Sequence, residues 1–317
     1  MFFETALCGA SKVYHHPVSL AQEEASYEWT EEGLESFQEL IVTWNGDRPR
    51  EGYYSILVSL KIEEWTPWLL YAEWGEGGQK SFRSVYPEFA VQSFQDAVET
   101  IGEKKAKGFK VRIEAKEGAG LSSLFALHAS TNLFSSGSTN SQERFEQAID
   151  LSVVGLSQMA ISHPRHKDLC SPTSTTAVVR YLTNRLDVDP ISFAAHAWDG
   201  GWDIYGNWVF NVAHASSLLG RDWQCWVQRL NHFSELYAQL GEGFPVVVSV
   251  RGPLPGSASS YAHGHLIVVT GFDASTQEVL CMDPGFETDE KTVVRYPLAP
   301  FISAWERRGR IAYLIRK

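Results

Sequence analysis

The chain of 317 residues reads as an α+β protein in two parts: an N-terminal β-sandwich, then a domain in which a helix precedes an antiparallel sheet. Three observations carry this. Up to residue 135 the apolar residues fall in short, turn-punctuated runs with almost no helical period. Residues 135–142 (SSGSTNSQ) are small and polar, as in a linker. Beyond residue 151 helical periods appear, followed by three strongly apolar strand-like runs. The expected domains are therefore 1–135 (sandwich), 136–150 (linker) and 151–317.

Composition narrows the classes. A chain of this length is comfortable as two domains, and 44% hydrophobic with 21% charged residues is ordinary for a folded protein. The net charge of −11 leaves no basic footprint for nucleic acid or an anionic membrane surface. No run approaches the roughly 18 apolar residues of a membrane span. Met1 to Cys8 lacks the basic and apolar regions of a secretory signal, so a cytoplasmic location is expected. Cys8, Cys170, Cys225 and Cys281 are scattered without CxxC spacing, which is neither a disulfide framework nor a metal knuckle.

Taken in order, residues 1–40 are acidic and sparsely periodic, with Glu23, Glu24, Glu28, Glu31, Glu32 and Glu35 among them. Strand-like runs then cover 40–44, 53–60, 68–74, 90–94, 110–115 and 124–129. Asp96 to Lys107 is the one stretch of this part compatible with a helix. Trp44, Trp65, Trp68 and Trp74 could line a groove for a sugar or peptide, but Trp in a sandwich more often fills the core, which is the expectation here.

In the second domain Gln158 stands 12 residues before Cys170, in a loop with His163, Pro164, Arg165, His166 and Lys167. Ser171 suits an N-cap and Pro172 a first helical position. Ala177, Val178, Tyr181 and Leu182 then recur at one-turn spacing, as on a buried face. Cys170 would sit at a helix mouth, where unpaired N–H groups and the dipole favour a thiolate. Taken alone, such a cysteine is more often an inert core residue. A Gly- and Trp-rich loop follows over Trp198–Asn211, then a helix over Trp223 to Leu240 ending at Gly241. Three strands come last: Phe244–Val250, His265–Gly271 and Glu278–Asp283. A hairpin turn centred on Ala274–Ser275 would set His265 opposite Asp283 or Pro284, with Cβ atoms about 4.5–5.5 Å apart.

Cys170, His265 and Asp283 then read as nucleophile, base and orienter. Gln158 would join the Cys170 N–H in holding an oxyanion. Each has a plain structural alternative: His265 as a core histidine, Asp283 as a turn residue, Gln158 as a solvated one. Zinc is the next rival, from His263-x-His265 with His163, His166 and Cys170, but no four-ligand spacing closes. No metal and no cofactor are expected.

These residues carry a resemblance. Gln158…Cys170-Ser171-Pro172-Thr173-Ser174, Gly264-His265 through Asp273, and Asp283-Pro284 resemble the C39-like cysteine peptidases, of papain-like fold. Gly206-Asn207-Trp208 through His214 and Pro245–Val250 resemble segments of bacterial members. Thr43–Gly46, Trp65–Trp68 and Trp74-Gly75 are similar to the β-rich region before the peptidase in such proteins. The likeness spans most of 40–307 and implies hydrolysis of a peptide or protein substrate through a Cys170 thioester. His265 is then base, Asp283 orienter and Gln158 oxyanion donor. Ser171, Trp202, Asn207, Trp208, His263 and Gly264 are the substrate-binding candidates. One departure stands out: the family commonly has Gly after the nucleophile, and Ser171 here adds bulk beside the oxyanion hole. A peptide or cell-wall binding module, or another thiol acyl-transfer or deamidation activity, are the alternatives. Substrate and oligomeric state are not legible.

Overall fold

The computed structural model describes residues 7–19, 24–135 and 144–317; most of the expected linker lies outside the described residues. It is a mixed α/β structure with three sheets. Its helices among the described residues are α1 (Cys170–Thr183), α2 (Pro190–Ala197), α3 (Trp208–Leu219), α4 (Phe233–Gly241) and α5 (Leu298–Glu306). None is long and apolar enough to cross a membrane. The chain forms two compact units, one of Ser11–Phe134 with Trp198–Val227, the other built mainly of Ser135–Ala197 with Gln228–Lys317.

The first unit carries β1 (Leu7–Pro17), β2 (Ser26–Phe37), β3 (Glu39–Gly46), β4 (Tyr53–Leu60), β5 (Leu69–Trp74) and β6 (Lys80–Ser81). It continues with β7 (Ser84–Tyr86), β8 (Val91–Phe94), β9 (Ala97–Thr100), β10 (Ala106–Lys116) and β11 (Leu124–Ser135). One sheet runs β1-β11-β3-β9-β8-β7 and the other β2-β10-β4-β5-β6. Trp44 on β3 and Trp74 on β5, both fully buried, meet at 6.0 Å between ring centroids. The Tyr71 hydroxyl on β5 donates to Val42 O on β3 at 3.3 Å. Trp65 and Trp68 are only half-buried. Lys110 lies 4.4 Å over the first ring and Arg112 4.2 Å over the second.

Two expectations for this unit are corrected. The acidic start holds strands: β2 is a sheet edge paired with β10, with Trp29 and Phe37 its buried residues. A register irregularity opposite Ala106–Gly108 interrupts its alternation between Trp29 and Phe37, so little apolar period shows. Asp96 to Lys107 is no helix, because β8 and β9 form a hairpin closed by Gln95 and Asp96, pairing Phe94 with Ala97. Gln95 takes φ 52 there, a turn conformation that Gln rarely signals.

Residues 198–227 also belong to this unit, so the sequence split at 151 does not follow the compact units. Buried carboxylates explain it. Asp199 accepts the Ser81 N–H at 2.9 Å and Asn207 Nδ2 at 2.8 Å. Asp96 accepts the Trp208 N–H at 2.6 Å, at the start of α3. Asn45 receives the Cys225 N–H at 2.8 Å and donates to Cys225 O at 2.7 Å.

In the second unit lie β12 (Ile149–Asp150), β14 (Val246–Val250), β15 (His265–Asp273), β16 (Glu278–Met282), β17 (Val293–Pro297) and β18 (Ile311–Arg316), with β13 (Gln224–Arg229) running in from the first. The sheet order is β13-β18-β14-β15-β16-β17, with β12 paired to β15. The three expected strands are present as β14, β15 and β16. The expected helix over Trp223–Leu240 is not: Gln224–Arg229 is a strand and only Phe233–Gly241 is helical. Cys225-Trp226-Val227 favours an extended chain, so Trp226 and Leu230 fit the three-and-four spacing without being helical, and only Phe233, Leu236, Tyr237 and Leu240 lie on the helix.

Candidate active site

Cys170 is the first residue of α1, and Leu169, not Ser171, is the N-cap. The helix starts early because a short 3₁₀ turn, His166–Asp168, runs straight into it: Leu169 N–H bonds His166 O and Thr173 N–H bonds Leu169 O. Pro172 then falls within the first turn, where a missing N–H leaves no helix bond unmade. Ser171 through Val179 are all buried, while Tyr181 and Leu182 are half-buried, so α1 is enclosed at its front end rather than along one stripe. Two of its hydroxyls bond backbone: Ser174 Oγ donates to Leu266 O at 3.0 Å, and Thr175 Oγ1 to Ser171 O at 2.9 Å. The first bond ties the helix to the strand that carries His265.

His265 opens β15, beside Val250 of β14. Asp283 follows the last residue of β16, its N–H held by Thr292 O at 2.8 Å. His265 Nε2 and Asp283 Oδ1 are 2.8 Å apart. With Nε2 on the carboxylate, the other ring nitrogen is left for the thiol, and the Cys170 side chain hydrogen-bonds the imidazole. The expected register is corrected in detail. Val268 pairs with Met282, and an irregularity between Val269 and Gly271 shifts the hairpin by one. Asp283 thus lies two positions from direct opposition to His265, on the same face by the period of two, and the imidazole reaches it diagonally.

The carboxylate is fully buried and receives four donors. Oδ1 accepts His265 Nε2 and the Gly285 N–H, the latter at 2.9 Å. Oδ2 accepts the hydroxyls of Tyr261 at 2.7 Å and Tyr296 at 2.6 Å. A Cβ on Gly285 would come within 2.9 Å of Tyr261 Oη, 3.1 Å of Asp283 Oδ1 and 3.3 Å of His265 Nε2. The Tyr261 ring lies flat on the imidazole, with centroids 4.0 Å apart and planes at 15°. These three partners were not anticipated. Only the Asp283-Pro284-Gly285 turn signal pointed near them; Tyr261 sits in a loop and Tyr296 on β17, with no local spacing to either.

The electrostatics favour an ion pair. Burial presses the His265 imidazolium down, but the adjacent Asp283 carboxylate and Cys170 outweigh it and carry the group to about 10. Burial likewise opposes the Cys170 thiolate, yet His265 and the backbone N–H groups of Leu266 and Ser171 bring the thiol below its ordinary value. Burial also disfavours charge on Asp283, and His265, Tyr296 and the Gly285 N–H together hold it below the usual carboxylate range. Burial drives the thiols of Cys225 and Cys281 the opposite way, both upward.

Gln158 departs from its expected part as oxyanion donor. Its Nε2 donates to His166 O at 3.0 Å and Lys167 O at 2.8 Å, so both of its N–H groups are spent on the turn before Cys170. Its own N–H meets Pro284 O at 3.0 Å. The residue thus braces the turn before Cys170 against the turn after Asp283. Ser171, a substrate-binding candidate, is fully buried and its Oγ lies 2.9 Å from the Tyr313 hydroxyl, so the bulk of its side chain goes into the core. Asn207 is likewise fully buried, as the cap that accepts the Phe210 N–H. Trp202 packs on Phe94 at 4.6 Å, and Trp208 is half-buried at the head of α3; both belong to the first unit. His263 is exposed in a turn, not on the strand with His265, and Gly264 takes φ 100 beside Arg308.

The mixed α/β unit thus holds a Cys–His–Asp row on a helix start and an antiparallel sheet. Residues 150–313 match the Peptidase_C39 like family, and the chain belongs to that family. Among solved structures it is similar to a candidate C39-like peptidase from Bacillus anthracis, at 20% identity and a TM-score of 0.41, over 54% of this chain and 99% of that one. No curated protein matches.

Proposed function

We propose that the protein is a cysteine peptidase that cleaves a peptide or amide bond through a thioester on Cys170. The row Cys170–His265–Asp283, with its 2.8 Å Nε2–Oδ1 bond, is the observation that carries this reading. In it His265 takes the thiol proton and the Cys170 sulfur attacks the carbonyl carbon. The negative oxygen that results accepts from the Cys170 N–H, one of the first-turn donors that no helix carbonyl pairs. The imidazolium returns its proton to the leaving amine as the C–N bond breaks. Water, deprotonated by His265, then displaces the sulfur and releases the acid. Asp283 fixes the ring and its tautomer throughout. Gln158 enters as a brace, and no cofactor takes part. The two N-terminal sheets, facing through Trp44 and Trp74, are read as a sandwich.

Substrate profiling of the wild type against Cys170→Ala tests the activity. Peptides released only by the wild type support it, and identical profiles refute it in favour of a binding module. A thiol acyl-transferase would instead leave product joined to an added amine.

A further inference from the structure

We propose that Tyr261 is a positioning residue of the site: one side chain holds both His265 and Asp283 and closes the bond between them from water. The inference rests on the peptidase reading above and names what keeps its base in register. Three observations converge. The ring of Tyr261 lies flat on the imidazole at 4.0 Å and 15°. Its hydroxyl donates to Asp283 Oδ2 at 2.7 Å, leaving Oδ1 for His265. Its backbone adopts φ 46, a left-handed conformation unusual for an aromatic residue and upheld only where the surroundings enforce it.

The enforcing contacts are local. Tyr261 O accepts the N–H groups of Gly252 at 3.1 Å and Gly264 at 3.0 Å, so the loop is cinched just before His265. Tyr261 is 8% exposed, and His265 beneath it 6%. Planar stacking removes the ring rotation an imidazole otherwise has about its Cβ–Cγ bond. Anchoring the hydroxyl on the orienting carboxylate makes that restraint specific to the productive plane. Tyr296 supplies a second hydroxyl to Oδ2, and no ring contact with His265 accompanies it. It is therefore the natural comparison. The groups that set the charge around His265 are Cys170 from α1, Asp283 beyond β16, and the hydroxyls of Tyr261 and Tyr296 through that carboxylate; Cys281 faces Asp283 from β16.

The test uses the full chain and three variants, Tyr261→Phe, Tyr261→Leu and Tyr296→Phe. Each is checked for folding by near-UV circular dichroism. Two quantities are read: the pH profile of Cys170 alkylation by iodoacetamide, and kcat and KM on a cleaved peptide. Tyr261→Phe keeps the planar face and loses a donor to the carboxylate. Asp283 then bears more charge towards His265, the imidazolium gains, and the acid limb of alkylation moves to lower pH by about half a unit. Tyr261→Leu loses the face, and kcat falls at least tenfold below Tyr296→Phe with KM unchanged within about twofold. The assignment is overturned if Tyr261→Leu matches Tyr296→Phe in kcat. Should Tyr261→Leu fail to fold, an unmoved acid limb in Tyr261→Phe overturns it and a lowered one supports it. Both this assignment and the peptidase reading fall if wild-type Cys170 alkylates no faster than Cys225 and Cys281; only this one falls if wild-type Cys170 is fast and the variants are indifferent.

Discussion

His265 donates from Nε2 to an Asp283 oxygen 2.8 Å away, and that carboxylate is entirely removed from solvent. Asp283→Asn keeps the shape but removes the charge and admits the wrong tautomer. A fall in kcat of about 10²–10⁴-fold is expected. Without the carboxylate the imidazolium loses the partner that carries it to about 10, so the alkaline limb of kcat/KM moves towards neutral pH. Steady-state kinetics between pH 5 and 10.5 check both; an unchanged alkaline limb speaks against Asp283 as the orienter.

Gly285 is required by space. An added Cβ meets Tyr261, Asp283 and His265 at 2.9–3.3 Å, and all three are packed. Gly285→Ala should lower stability by about 1–3 kcal/mol through forced shifts and reduce kcat at least tenfold. Urea denaturation and peptide hydrolysis read the two effects separately.

Ser171 and Tyr313 share a buried hydrogen bond at 2.9 Å. Ser171→Ala should therefore destabilise the fold by about 0.5–1.5 kcal/mol while kcat stays within about threefold. A large kinetic change without a stability change would place the hydroxyl at the reacting centre instead.

The tryptophans divide by burial. Trp44 is fully buried, and Trp44→Ala should lower stability by about 3–5 kcal/mol. Trp65→Ala, at a half-buried site over which Lys110 lies, should cost about 1 kcal/mol or less. Thermal melts of the two variants rank them directly.

How much of this was legible follows from the reach of each signal. Cys170 at a helix start and the β15–β16 hairpin are local patterns, and both could be read from spacing. The irregularity near Thr270 moves the register by one, and Gly271, where a Cβ would meet Ile149 O, is the single sequence hint of it. Asp199 and Asp96 draw 198–227 into the first unit through bonds spanning more than a hundred residues, which periodicity cannot see. The cap Asn207 before Trp208 did offer a sign of α3, masked by the glycines and tryptophans around it. Gln158 was singled out as a polar residue upstream of Cys170, and its donors are spent on two turn carbonyls that only the folded turn reveals. Tyr261 and Tyr296 come from a loop and a distant strand, so the completed carboxylate cradle could not be read from sequence.

The most direct measurement is the alkylation rate of each cysteine against pH, read peptide by peptide by mass spectrometry. The account predicts that Cys170 reacts far faster than Cys225 and Cys281, with an acid limb below the ordinary thiol value of 9.0 and a plateau reaching to about pH 10, where His265 loses its proton. It further predicts that His265→Ala returns the Cys170 limb to the range of an ordinary thiol and slows the reaction at neutral pH. A Cys170 that titrates like a free thiol, reacts no faster than the two buried cysteines and is indifferent to His265 would contradict it.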